Sequence, residues 1–111
     1  MPVYVYQSFQ INQEKFQDAL SNLEAIKAYR NEQYDHDVKL LTPITGADHT
    51  YVLLSVYEGL AELELQNDKM FNDEEYVELI GKFFLEHIIQ GSMQTQILRE
   101  KKYEQKEDDE E

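Results

Sequence analysis

The chain has 111 residues, 41% of them hydrophobic, and its 23 Asp and Glu against 10 Lys and Arg give a net charge of −13. This length is typical of one domain with a modest core, which we expect to span residues 1–100. The chain has no cysteine, which excludes disulfides and thiolate metal sites, and its acidity argues against nucleic acid or an anionic membrane as a partner.

The first predicted elements are a strand and an amphipathic helix. Residues Val3–Ile11 are rich in β-branched and aromatic side chains, which is typical of a strand. Asn12 is a suitable N-cap, and apolar residues then recur every three or four positions, which predicts a helix over 13–31. The apolar stripe of this helix consists of Phe16, Ala19, Leu20, Leu23, Ile26 and Tyr29.

A loop over 31–37 leads into a predicted hairpin. Two extended runs, Asp37–Ile44 and Thr50–Glu58, are separated by turn-forming residues at 45–49. Pro43 cannot donate a hydrogen bond within a sheet. We therefore expect the first of these two strands to lie at an edge of the sheet.

The second half of the chain predicts two helices and a last strand. A short helix follows Gly59, and a longer one begins at a cap formed by Asn72 or Asp73 and ends near His87. The alternating residues Ser92–Glu100 predict the fourth strand. The stripe of the longer helix consists of Tyr76, Leu79, Ile80, Phe83, Phe84 and His87.

The C-terminal end of the chain is strongly charged. The charged residues 101–111 hold too little apolar surface to fold, and we expect a disordered acidic tail.

Met1–Tyr4 lacks the charged start and apolar stretch of a signal peptide, and no apolar run reaches the length of about 18 residues that a membrane span requires. We therefore expect a cytoplasmic protein.

The order of elements predicts an α+β fold of the ferredoxin-like βαββαβ type, in which both helices cover one face of an antiparallel sheet. In the third strand, Val52, Leu54 and Val56 share one aliphatic face suited to contact with the helices. The uncovered face is then aromatic and amphipathic, as protein interfaces and ligand cavities often are. Its tyrosines are predicted to be Tyr4, Tyr6, Tyr51 and Tyr57.

The order of elements, together with the segments Leu40–Gly46 and Tyr51–Glu62, resembles the dimeric α/β-barrel superfamily. The resemblance covers the chain to about Glu100 and is strongest to NIPSNAP-like and antibiotic-biosynthesis-monooxygenase-like members. It implies a homodimer that pairs sheet against sheet, with a cavity in each half. Roles known in the superfamily include cofactor-free oxidation of phenolic compounds, haem breakdown, isomerisation of small lactones and ligand sensing.

The resemblance is incomplete for the haem-degrading branch. That branch combines an Asn on the first strand, a Trp, and a His on the later helix. This chain contains no Trp, and only His87 matches the set. Haem breakdown is therefore a poor fit, and no motif in the chain implies a cofactor.

Two histidines are candidate proton acceptors, since a His can titrate near neutral pH. His87 lies on the apolar stripe of the longer helix, where a structural role near the helix C-terminus explains it equally well. His49 lies in the hairpin turn. Asp48 and His49 with His36 and Asp37 are of metal-binding types, but their spacing matches no motif, so we expect no metal site.

We therefore expect a homodimer that holds a small apolar or aromatic molecule in a cavity between sheet and helices, with the tyrosines either orienting that molecule or packing the interface between copies. If it is an enzyme, a cofactor-free monooxygenase or isomerase is the expected kind. The alternative is a non-catalytic binding or stress-response dimer whose interface is fully packed.

Overall fold

A computed structural model describes residues 1–46 and 49–101 of the chain. It confirms an α+β fold in the predicted order. A 3₁₀ turn precedes the first helix, and a π-helical turn follows the third. The elements are β1 (Val3–Gln10), the 3₁₀ turn (Gln13–Lys15), α1 (Phe16–Gln33), β2 (Asp37–Leu41), β3 (Thr50–Tyr57), α2 (Leu60–Phe71), α3 (Glu74–Lys82), the π-helical turn (Phe83–His87) and β4 (Gln94–Arg99).

The four strands form one antiparallel sheet in the order β2-β3-β1-β4. Strand β2 lies at an edge, as Pro43 predicted, and it ends at Leu41 before the proline is reached. Helix α1 contacts β2 and α3, and α2 contacts β3. The helices of the described residues therefore lie against one face of the sheet.

The pairing of β1 with β3 corrects the predicted faces of the sheet. Val3 lies opposite Tyr57, and Phe9 lies opposite Tyr51, so these four side chains share the helix-covered face. Tyr51 and Tyr57 are only 6% and 2% exposed. The prediction that they share the open face with Tyr4 and Tyr6 is therefore wrong.

Side chains of both parities in β3 are apolar enough to be buried, so alternation alone could not choose between the two faces. The register with β1 decides, because Val5 and Phe9 of that strand are core residues. Val52, Leu54 and Val56 lie instead on the open face, opposite Ser8, Tyr6 and Tyr4.

The predicted stripe of α1 forms the centre of the core. Ala19, Leu23 and Ile26 are completely buried there. The ring of Phe9 packs edge-on against that of Phe83, with 5.2 Å between ring centroids. The other buried members of this cluster are Ile11, Val38, Tyr51, Leu53, Met70 and Tyr76.

Asp73 joins α1 to α3. As the N-cap of α3, its carboxylate accepts hydrogen bonds from the backbone N–H of Glu75 (3.1 Å) and Tyr76 (3.3 Å), which satisfies donors that the helix itself leaves free. It also accepts from the hydroxyls of Tyr29 (2.7 Å) and Tyr34. The hydrogen bond from Tyr34 is the main cause of a lowered pKa at Asp73.

No helix in the described residues is long and apolar enough to cross a membrane. The expected cytoplasmic location stays a prediction, as does the domain boundary at residue 100. Most of the predicted tail, residues 102–111, lies outside the described residues.

Candidate functional site

A cavity of about 350 Å³ lies between the helix-covered face of the sheet and helices α2 and α3. Ligand-binding pockets in proteins commonly have volumes of about 300–1,000 Å³, so this space can hold a small molecule. Its wall is mainly apolar. The apolar lining residues are Val5, Phe9, Leu53, Leu63, Met70, Phe71, Val77, Ile80, Phe83, Phe84, Met93 and Ile97.

The cavity opens beside β4. Every residue of this strand is exposed, because the helix contacts with the sheet are made at the other edge, by α1 with β2 and by α2 with β3. At the rim, Phe71 is 79% exposed and Ile97 is 57% exposed, although both line the cavity. A small molecule can therefore enter between β4 and the helices without unfolding the core.

The polar part of the wall is built around Arg30, in the last turn of α1. This side chain is only 5% exposed and lines the cavity. Its Nη2 donates hydrogen bonds to Tyr57 Oη (2.9 Å) and to Ser55 Oγ (3.1 Å), and its Nε donates to His36 Nε2 (3.1 Å). The guanidinium thus connects α1 with β3 and with the loop before β2.

His36 is neutral in this arrangement. Because its Nε2 accepts from Arg30, the proton of the ring is on Nδ1, and Nδ1 is buried without a partner among the described residues. Burial lowers the pKa of His36 from 6.5 to about 4, and the charge of Arg30 contributes further. The ring stacks on Tyr57, with 4.5 Å between centroids.

The positive charge of Arg30 therefore has only uncharged hydrogen-bonding partners in the part of the chain that the structure describes. Burial of an ion costs several kcal/mol even after the protein relaxes. The dipole at the C-terminal end of α1 favours a cation by up to about 2 kcal/mol in a partly buried geometry. None of the hydrogen-bonding partners among the described residues carries a negative charge that would pair with the guanidinium.

The four candidate tyrosines are distributed over three environments. Tyr57 lines the cavity. Tyr51 lies in the core, with 6.3 Å between its ring centroid and that of Phe16, and it does not line the cavity. Tyr4 and Tyr6 lie on the open face of the sheet, opposite Val56 and Leu54.

The two candidate proton acceptors lie elsewhere. His87 is buried, with its Nδ1 2.8 Å from Asn22 Oδ1, and it borders a separate cleft between α1 and the end of α3. His49 lies at the surface, with its Nε2 2.6 Å from the side-chain nitrogen of Gln13. Neither histidine lines the cavity beside Tyr57, and their catalytic roles stay predictions.

The residues weighed for a metal site are also separated. His36 is buried against Arg30, whereas His49 contacts Gln13. Asp48 lies outside the described residues. Within residues 1–46 and 49–101 no group of three or more His, Cys, Asp or Glu is placed to hold an ion.

Arg30 was not singled out from the sequence, and His36 was considered only as a residue of a metal-binding type. A signal for Arg30 was present, because the spacing of Ala19, Leu23 and Ile26 continues to position 30, and a charged residue on an apolar stripe is unusual. No comparable signal marks His36, which is buried only because the loop after α1 folds back over β3.

Comparison with solved structures finds the same fold in proteins of very different sequence. An uncharacterised NIPSNAP domain protein from Burkholderia xenovorans superposes with a TM-score of 0.73 at 14% identity, over 91% of this chain and 95% of the other. A NIPSNAP family protein from Agrobacterium tumefaciens gives a TM-score of 0.72 at 15% identity, over 93% and 96% of the two chains.

A Nitrosomonas europaea protein, assigned by inference as an antibiotic biosynthesis monooxygenase, gives a TM-score of 0.69 at 7% identity, over 87% of this chain and 88% of the other. The chain therefore shares the ferredoxin-like α+β fold of these proteins. This confirms the predicted structural resemblance. No protein-family model and no curated protein sequence matches the chain.

The lowered pKa of His36 predicts a pH-dependent stability. Between pH 6.5 and about 4 the unfolded chain binds a proton at His36 that the folded chain does not, so folding stability is full above pH 6.5 and is lost as the pH falls towards 4. His36→Gln keeps an acceptor for Arg30 but does not titrate. We expect it to reduce the loss of stability over this interval, by at most about 3 kcal/mol.

Urea unfolding followed by circular dichroism across this pH range measures the effect. The matched control is His49→Gln, which removes a histidine that contacts Gln13 and lies away from Arg30. Equal slopes for His36→Gln and wild type would show that folding does not lower the pKa of His36.

Proposed function

We propose that this chain binds a small, largely apolar or aromatic molecule in the cavity between the sheet and helices α2 and α3. The observation that carries the proposal is the cavity itself: an apolar space of about 350 Å³ with Arg30 and Tyr57 in its wall. A mainly apolar surface with few polar groups at fixed positions is typical of small-molecule sites. The apolar lining favours a ring or short hydrocarbon, and the polar groups fix its orientation.

We further propose that the chain acts as a homodimer through the open face of its sheet. The helices of the described residues lie on the other face, and Tyr6, Leu41 and Leu98 of the open face are 36%, 41% and 47% exposed. Leu54 and Val56 lie between them. These side chains share the open face with two charged residues of β2, and an exposed, partly apolar surface favours burial against a partner.

Binding without turnover is the better supported form of this function. No histidine and no carboxylate lines the cavity within the described residues, so the phenols of Tyr57 and Tyr76 are the remaining candidates for proton transfer in that wall. Cofactor-free oxidation, the second candidate, is supported by the fold shared with the Nitrosomonas europaea protein. Uptake of oxygen that depends on an added phenolic compound would distinguish oxidation from binding.

Filling the cavity should abolish ligand binding. Thr95 lines the cavity from the exposed strand β4, so Thr95→Trp can place its ring in the opening without displacing the core. With 2-naphthol as the probe, we expect binding to the wild type and at least about tenfold weaker binding to Thr95→Trp. Isothermal titration calorimetry gives the affinities.

Leu85→Trp is the matched control, because Leu85 is 80% exposed and does not line the cavity. It should bind 2-naphthol as the wild type does. Equal binding by Thr95→Trp would place the probe outside the cavity, and lack of binding by the wild type would contradict the proposal.

A charge on the open face should separate the dimer. Leu54 lies opposite both Tyr6 and Lys39 in the sheet, so Leu54→Arg would bury a cation in the proposed interface, at a cost of several kcal/mol. In sedimentation equilibrium at micromolar concentration, we expect twice the mass of one chain for the wild type and for the control Leu85→Arg, and the mass of one chain for Leu54→Arg. A monomeric wild type would contradict the homodimer.

A further inference from the structure

We infer that the cavity selects molecules that carry a carboxylate, and that Arg30 and Tyr57 bind this group while the apolar wall holds the remainder. The inference rests on the proposed ligand-binding function and specifies its ligand class: small, largely apolar or aromatic acids. It follows from the donors that Arg30 leaves unused, from its charge and from the shape of the cavity.

The guanidinium of Arg30 has more N–H donors than its hydrogen bonds use. A guanidinium has five N–H groups. Nε uses its one N–H on His36, and Nη2 uses its two on Ser55 and Tyr57. These hydrogen bonds of Arg30 do not use Nη1, and Arg30 lines the cavity. The phenol of Tyr76 also interacts with the guanidinium and can take one N–H of Nη1, which leaves the other for an acceptor that the cavity supplies.

The positive charge of Arg30 is not neutralised by the described residues that it contacts. The hydrogen-bonding partners of Arg30 among the described residues are a hydroxyl, a phenol and a neutral imidazole, so none of them neutralises the guanidinium. A carboxylate in the cavity would do so, beside a guanidinium that is only 5% exposed, where attraction between opposite charges is stronger than in bulk water. Arginine suits this role because its planar group matches the geometry of a carboxylate.

Tyr57 is oriented so that its hydroxyl can donate a hydrogen bond to a ligand in the cavity. Its hydroxyl oxygen accepts from Arg30 Nη2 (2.9 Å), so its own proton is free to be donated, and the side chain lines the cavity. A carboxylate beside Arg30 could therefore accept from the guanidinium and from the phenol. Tyr76, which lines the same wall, brings a second hydroxyl near this position.

The shape of the cavity defines the other end of the ligand. Arg30 lies in the last turn of α1, whereas the opening lies beside β4, where Phe71 and Ile97 form the rim. A carboxylate at Arg30 would direct the apolar part of the molecule towards this rim. The competing explanation is that Arg30 only connects α1 to β3, in which case acidic and neutral molecules of one size would bind equally.

A matched pair of probes separates these explanations. We compare 2-naphthoate with 2-naphthamide, which has nearly the same size but no charge, by isothermal titration calorimetry at pH 7. Hydrogen bonds to charged groups predict that the wild type binds 2-naphthoate at least about tenfold more tightly. In Arg30→Gln this preference should disappear, while Lys69→Gln, which removes an exposed charge on α2, should keep it.

Tyr57→Phe provides a second variant that keeps the guanidinium in case Arg30→Gln does not fold. It should weaken 2-naphthoate about three- to tenfold, with a smaller change for 2-naphthamide. Equal affinities of the wild type for the two probes would overturn the inference and leave the proposed binding function intact. Failure of the wild type to bind either probe would overturn the binding function itself and the inference with it.

Discussion

The register between β1 and β3 is the constraint on which the rest of this structure depends. By setting Val5 opposite Ser55 and Val3 opposite Tyr57, it directs the hydroxyls of β3 towards the helices. A shift of one residue would exchange the two faces and would leave the end of α1 without acceptors for Arg30. The same register leaves Leu54 and Tyr6 on the open face. The interior cavity and the apolar outer surface thus have a common origin.

The wall of the cavity is mainly apolar in the part of the chain that the structure describes. Helices α2 and α3 contribute apolar side chains to it, and β4 leaves one side open. Arg30 is the charged residue among the described lining residues, and burial keeps the neighbouring His36 neutral. A site of this composition is suited to recognition of a ligand, because it supplies orientation and charge without a histidine or a carboxylate among the described lining residues.

Much of the fold could be predicted from the sequence, because the apolar stripe of α1, the cap at Asp73 and the edge position before Pro43 are local patterns with direct physical causes. The sequence could not predict which face of β3 lies against the helices, because Leu53 and Leu54 are equally apolar. The orientation of β3 depends on its register with β1, which is far away in the chain. The site was only partly predictable for a related reason. Tyr57 was singled out, but the role of Arg30 depends on His36 and Ser55, which the fold brings together from distant positions.

The most direct test of the account is a crystal structure of the wild-type chain with 6-bromo-2-naphthoate, in which anomalous scattering locates the bromine. We predict one carboxylate within hydrogen-bonding distance of Arg30 Nη1 and Tyr57 Oη, and the bromine at the rim near Phe71. Bromine at the surface with an empty cavity, or a reversed molecule with its carboxylate in solvent and its ring against Arg30, would contradict it.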